Sequence, residues 1–102
     1  MRVGRLSDFP EGVGVPVEIG ARRIVVYRQR EYLFALKNLC PHQGEPLHRL
    51  PPQNGAAVCI GHGWAFDLRT GRCVRGDLGS RVAVYPVQVR NGEVFIGRRP
   101  RD

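Results

Sequence analysis

Two short segments constrain this chain more than anything else in it: Cys40-Pro41-His42 and, after residues 43–58, Cys59-Ile60-Gly61-His62. Each joins a thiol to an imidazole within three residues, and Pro41, Gly44, Gly61 and Gly63 let the backbone turn tightly around them. This is ligand spacing, and Cys40, His42, Cys59 and His62 are the candidate metal ligands. A structural zinc ion in a Cys2His2 tetrahedron is the competing reading. Zinc fingers, however, pair two cysteines in one knuckle and two histidines in a helix, whereas here each knuckle mixes the types and no helical period follows. Soft thiolates donate strongly to iron and neutral imidazoles leave more positive charge on it, so two of each suit a [2Fe-2S] centre.

The spacing resembles that of the Rieske family, whose first loop reads C-x-H and whose second reads C-x-x-H. The resemblance extends to the flanks: His62-Gly63-Trp64-Ala65-Phe66-Asp67 matches the family's HGWxFD, and Thr70-Gly71 matches the turn that follows it. It implies one [2Fe-2S] cluster, with Cys40 and Cys59 on an inner iron and His42 and His62 on an outer one. The outer histidines are then expected at the surface as the exit route for an electron. The implied fold is all-β, an antiparallel sandwich or barrel-like base with a small inserted cluster-binding subdomain at approximately 38–80.

With 102 residues the chain is read as one domain, residues 1–102, small enough that bound metal would help to hold it together. Once Cys40 and Cys59 are assigned, only Cys73 remains of three cysteines, so no disulfide framework is expected and a reducing compartment fits. No apolar stretch suited to a secretory signal or a membrane anchor opens the chain, and the expectation is a cytoplasmic protein. The formal charge of +7 arises from sixteen basic residues scattered along the sequence. Scatter without interleaved aromatics argues against nucleic acid and suits transient encounters with acidic redox partners.

Taken in order, Arg2 to Leu6 reads as an opening edge strand and Val15 to Ile19 as the next. Ile24–Tyr27 and Tyr32–Leu36 read as a hairpin that delivers Cys40 at a sheet edge, with Tyr32, Phe34 and Leu36 on one face. Prolines 46, 51 and 52 exclude a long helix between the knuckles. Ala56–Ile60 and Trp64–Leu68 should be strands on either side of the second knuckle, placing the two knuckles on adjacent hairpins. Asn91-Gly92 between Val82–Arg90 and Glu93–Ile96 predicts a type I′ hairpin that pairs Arg90 with Glu93, Val89 with Val94 and Val87 with Ile96. His48 is read as a surface residue outside the site and Cys73 as a buried hydrophobe.

The family's high-potential members carry a disulfide between the knuckles, at positions held here by Glu45 and Gly61, and donate serine and tyrosine hydroxyls where this chain has Trp64 and Phe66. Without them, the resemblance implies a potential toward the low end of a span of roughly −150 to +300 mV. Amides near Gly44, Gly61 and Gly63 are expected to approach the cluster sulfurs, with Pro41 and Trp64 screening water. The segment Gly76-Asp77-Leu78-Gly79 falls where the family has a covering third loop, with Asp77 in place of a proline. No catalytic constellation or further cofactor domain is visible. The resulting expectation is a one-electron carrier, not itself an enzyme, between a reductase and an oxygenase, with a nitrite reductase small subunit as the runner-up.

Overall fold

In the computed structural model, which describes every residue except Gln43 and Asp102, the chain forms three antiparallel sheets. Its strands are β1 (Arg2–Arg5), β2 (Val15–Ile19), β3 (Arg22–Gln29), β4 (Tyr32–Lys37), β5 (Ala56–Val58), β6 (Ala65–Asp67), β7 (Cys73–Arg75), β8 (Val84–Tyr85), β9 (Val87–Arg90) and β10 (Glu93–Ile96). The first sheet is ordered β1-β10-β9, the central one β2-β3-β4-β8 and the third β5-β6-β7.

The central sheet explains the rest. Ile24, Val25, Val26 and Tyr27 are an unbroken apolar run, and all four are fully buried, as a strand covered on both faces requires. Val25 and Tyr27 join Leu36, Leu47, Phe66 and Leu68 in a core beneath the third sheet, together with all three cysteines. Ile24 and Val26 join Phe9, Ala35, Val94 and Ile96 in a second core beneath the first sheet. The alternation anticipated for β4 therefore has two buried faces: Phe34 and Leu36 pack toward the cysteines, Leu33 and Ala35 away from them, and Tyr32 is exposed at the hairpin end.

The terminal hairpin has the anticipated register, and Asn91 and Gly92 both adopt positive φ (50° and 77°), as a type I′ turn demands. The strand expected over Val82–Arg90 is instead broken at Pro86, which offers no N–H to a ladder. Val84–Tyr85 pairs in the central sheet and Val87–Arg90 in the first, so the chain changes layer at the proline. Cys40 follows β4, but β4 lies between β3 and β8 and is no edge. Only the second knuckle caps a hairpin, β5–β6, because the first spans the crossover from the central sheet to the third. Among its described residues, that crossover holds one 3-10 turn, Leu47–Arg49, and no longer helix. Among the described residues, no helix is long and apolar enough to cross a membrane.

Candidate metal centre

The two knuckles are built alike. In the first, Cys40 N donates to the Glu45 carbonyl at 2.7 Å and Gly44 N donates back to the Cys40 carbonyl at 2.8 Å. In the second, Cys59 N donates to the Trp64 carbonyl at 2.7 Å and Gly63 N to the Cys59 carbonyl at 3.1 Å. The glycine four residues after each cysteine closes the turn at φ +72° and +71°, a conformation most side chains resist. The Gly44 and Gly63 amides are engaged in closing the loops. The N–H groups of Gly61 and His62 bond to Cys59.

The four candidate residues form two like pairs. Cys40 and Cys59 are each 1% exposed and lie in hydrogen-bonding contact. Burial pushes the Cys59 thiol above its ordinary pKa and the adjoining Cys40 acts the same way, while the Gly61 and His62 amides oppose them. His42 and His62 are exposed, with Nε2 of one 3.1 Å from Nδ1 of the other and ring centroids 5.2 Å apart. Trp64 lies almost parallel to His42, at 4.2 Å and 11°, and fixes the plane of that ring. Trp64 is half-buried against the core and shields the thiol side, whereas Pro41 is itself exposed.

Among the described residues, no three His, Cys, Asp or Glu side chains converge closely enough to hold a single metal ion. A two-iron cluster needs two pairs of ligands, one per iron. Buried thiols beneath exposed imidazoles provide that donor set, and the residues fit the group.

Two residues outside the motifs hold the crossover in place. Asn38, 4% exposed, accepts hydrogen bonds at Oδ1 from Leu47 N (2.7 Å) and His48 N (3.0 Å). With its oxygen so occupied, its Nδ2 donates to His48 Nδ1 at 2.8 Å, which places the ring proton on Nε2. Tyr27 donates its hydroxyl to the Leu47 carbonyl at 2.9 Å, and burial holds that phenol well above its ordinary pKa. His48 is thus half-buried and bonded, not a free surface side chain. The only sequence cue to this tie was an asparagine two residues before the first cysteine. Cys73 lies in the core as expected, and its thiol donates to the Arg75 carbonyl at 3.1 Å. In the segment after β7, Asp77 closes a turn by accepting from Gly79 N and Ser80 Oγ, the part the absent proline leaves open.

The model of the Rieske [2Fe-2S] domain matches residues 1–86, and the chain belongs to that family. The family's cofactor is the [2Fe-2S] cluster expected from the loops. The anthranilate 1,2-dioxygenase ferredoxin subunit of Burkholderia cepacia is 29% identical over 92% of this chain and 87% of its own length. The ferredoxin of carbazole 1,9a-dioxygenase from Nocardioides aromaticivorans IC177 superposes with a TM-score of 0.92 at 25% identity, covering 97% of both chains. The ferredoxin-like chain in a complex of reduced oxygenase and oxidised ferredoxin of carbazole 1,9a-dioxygenase gives a TM-score of 0.87 at 28% identity, over 95% of this chain and 100% of that one. A nitrite reductase small subunit from Mycobacterium tuberculosis shares the fold alone, at 22% identity and a TM-score of 0.86 over 97% and 94% of the two chains.

Proposed function

We propose that this chain is a one-electron carrier, the ferredoxin component of a multicomponent oxygenase system, taking electrons from a reductase and passing them to an oxygenase. The observation that carries the reading is the exposed His42–His62 pair set over the buried Cys40–Cys59 pair. Cys40, His42, Cys59 and His62 are the residues assigned to hold the cluster, within a cluster-binding unit at approximately 38–80 of one domain. When bound, a [2Fe-2S] cluster supplies a reversible one-electron couple.

The chain's own residues do the remainder. The matching backbone bonds of the knuckles present both thiols inward, Trp64 orients His42 and excludes water, and Asn38 with Tyr27 anchors the crossover between the loops. Trp64 and Phe66 have no hydroxyl to donate toward a reduced centre, and Cys40, Cys59 and Cys73 are free of disulfides, which supports a low potential. The excess of arginine favours partners with acidic docking surfaces, and a free Cys73 suits the cytoplasm. The dioxygenase ferredoxins match this chain over most of their own length in sequence as well as fold, which sets this reading above the nitrite reductase subunit.

The test is an ultraviolet-visible and EPR spectrum of the isolated protein, oxidised and dithionite-reduced, with iron, sulfide and zinc content. About two irons and two sulfides per chain, with an average g below that of all-cysteine clusters, is the expected result. Stoichiometric zinc in colourless, anaerobically prepared protein sinks the carrier reading.

A further inference from the structure

A third segment grips the ligand loops from the side. Strand β7 ends at Arg75, paired with Ala65 of β6, and the Cys73 thiol holds the Arg75 carbonyl from within the core. From there Arg75 Nε donates to the Gly63 carbonyl at 2.6 Å, in the middle of the second knuckle. The next residue, Gly76, passes beneath Trp64 so closely that a Cβ would stand 2.5 Å from the indole Cδ2. Arg75 and Gly76 therefore hold the consecutive residues Gly63 and Trp64, one by a hydrogen bond and the other by contact, and Trp64 stacks on His42.

Arg75 is exposed, and no carboxylate among the described residues pairs with it: their ion pairs are Arg2–Glu93 and Arg49–Glu45. An untethered arginine spreads its charge over many rotamers, whereas one bonded at Nε is a fixed positive charge beside the loop. Such a charge favours a neighbouring group in the state that has gained an electron. We propose that Arg75 is a positioning residue of the metal centre, fixing the second knuckle at Gly63 and, through its unpaired charge, raising the reduction potential of the bound cluster. This rests on the carrier reading above.

The experiment is a redox titration, followed by EPR, of cluster-loaded wild type, Arg75→Gln, Arg75→Lys and Arg90→Gln, each with iron and sulfide measured. Arg90 is an exposed cation of β9, in the sheet that covers the other core. At the wild-type midpoint, Arg75→Gln should lower the reduced-to-oxidised ratio from one to roughly one-third, about 28 mV at 59 mV per decade for one electron. Arg75→Lys, which keeps the charge but loses the Nε bond, should fall between the two, and Arg90→Gln should match wild type. Raising the ionic strength should narrow the gap between wild type and Arg75→Gln, because an exposed charge is screened. A wild-type potential in Arg75→Gln, or an equal fall in Arg90→Gln, overturns the proposal, even if the melting temperature changes. If Arg75→Gln does not retain iron, the lysine variant decides: a potential equal to wild type overturns the proposal. Wild type without iron and sulfide would fail the carrier reading and this proposal together, whereas loaded wild type beside insensitive variants overturns this proposal alone.

Discussion

Asn38→Ala should destabilise the protein far more than its place outside the ligand motifs suggests. The substitution strands two backbone donors, Leu47 N–H in the buried interior and His48 N–H at its margin, and removes the contact with His48 Nδ1. A buried polar group deprived of its partner costs about 1–3 kcal/mol. Taking Leu47 in full and His48 in part, the loss is about 2–4 kcal/mol, against a total stability of about 5–15 kcal/mol for a domain. At about 4–8 °C per kcal/mol for a chain of this size, the melting temperature should drop by about 8–32 °C. The assay is thermal unfolding of the loaded protein followed by circular dichroism, with the visible absorbance recorded in parallel. Because the crossover carries the chain from one knuckle to the other, colour should be lost at or below the temperature at which the sheets melt. Asn38→Asp supplies the discriminating comparison. It retains an acceptor for both N–H groups, so it should recover more than half of the loss. An alanine variant within about 0.5 kcal/mol of wild type, the scatter of ordinary surface changes, would refute the reasoning. An aspartate variant as unstable as alanine would do the same.

Gly76→Ala sets a Cβ against the Trp64 indole at a backbone φ of +120°, so the ring must leave its place over His42. Quenched or shifted tryptophan fluorescence, together with a fall in melting temperature, should report the displacement. Cys73→Ala removes one thiol hydrogen bond and a small volume from the core, costing about 1–2 kcal/mol, but should leave two irons per chain. Iron loss without unfolding would make that thiol a ligand. Burial raises the Tyr27 phenol's pKa in the folded state, so its stabilisation is complete below the ordinary value of about 10 and is lost as the pH climbs beyond it. Tyr27→Phe should therefore be less stable by about 1–3 kcal/mol at pH 8, through the unpaired Leu47 carbonyl, yet lose stability less steeply above pH 10 in a series of denaturant titrations.

What could be read from the sequence was local. The ligand loops announce themselves because spacing, glycine and donor type lie within a few residues of one another. The β9–β10 hairpin does so because Asn91-Gly92 admits one turn and the turn fixes the register. What could not be read depends on partners distant in the chain or on competition between layers. Asn38 meets its partners nine and ten residues later, across a segment whose prolines obscure its path. Pro86 could mark a strand end or a bulge, and the choice is made by the sheet each neighbour joins, Tyr85 the central one and Val87 the first, although both pack on the same core. Arg75 is one of fifteen arginines in sequence and is distinguished only by the carbonyl it meets. The donor set needed no fold to be recognised, whereas the residues that aim it did.

Because β3 is buried on both sides, consecutive residues along it belong to different neighbourhoods. Val25 touches the interior that houses the thiols, and Val26 the one closed by the terminal hairpin. A shift of one position along this strand changes which half of the molecule feels an alteration, much as adjacent keys on one keyboard can sound separate instruments. Drift at alternate positions can soften the loop-bearing half while the foundation stays rigid, or the reverse. A lineage built on this plan can thus adjust how readily its metal is gained and lost without renegotiating the frame that carries it.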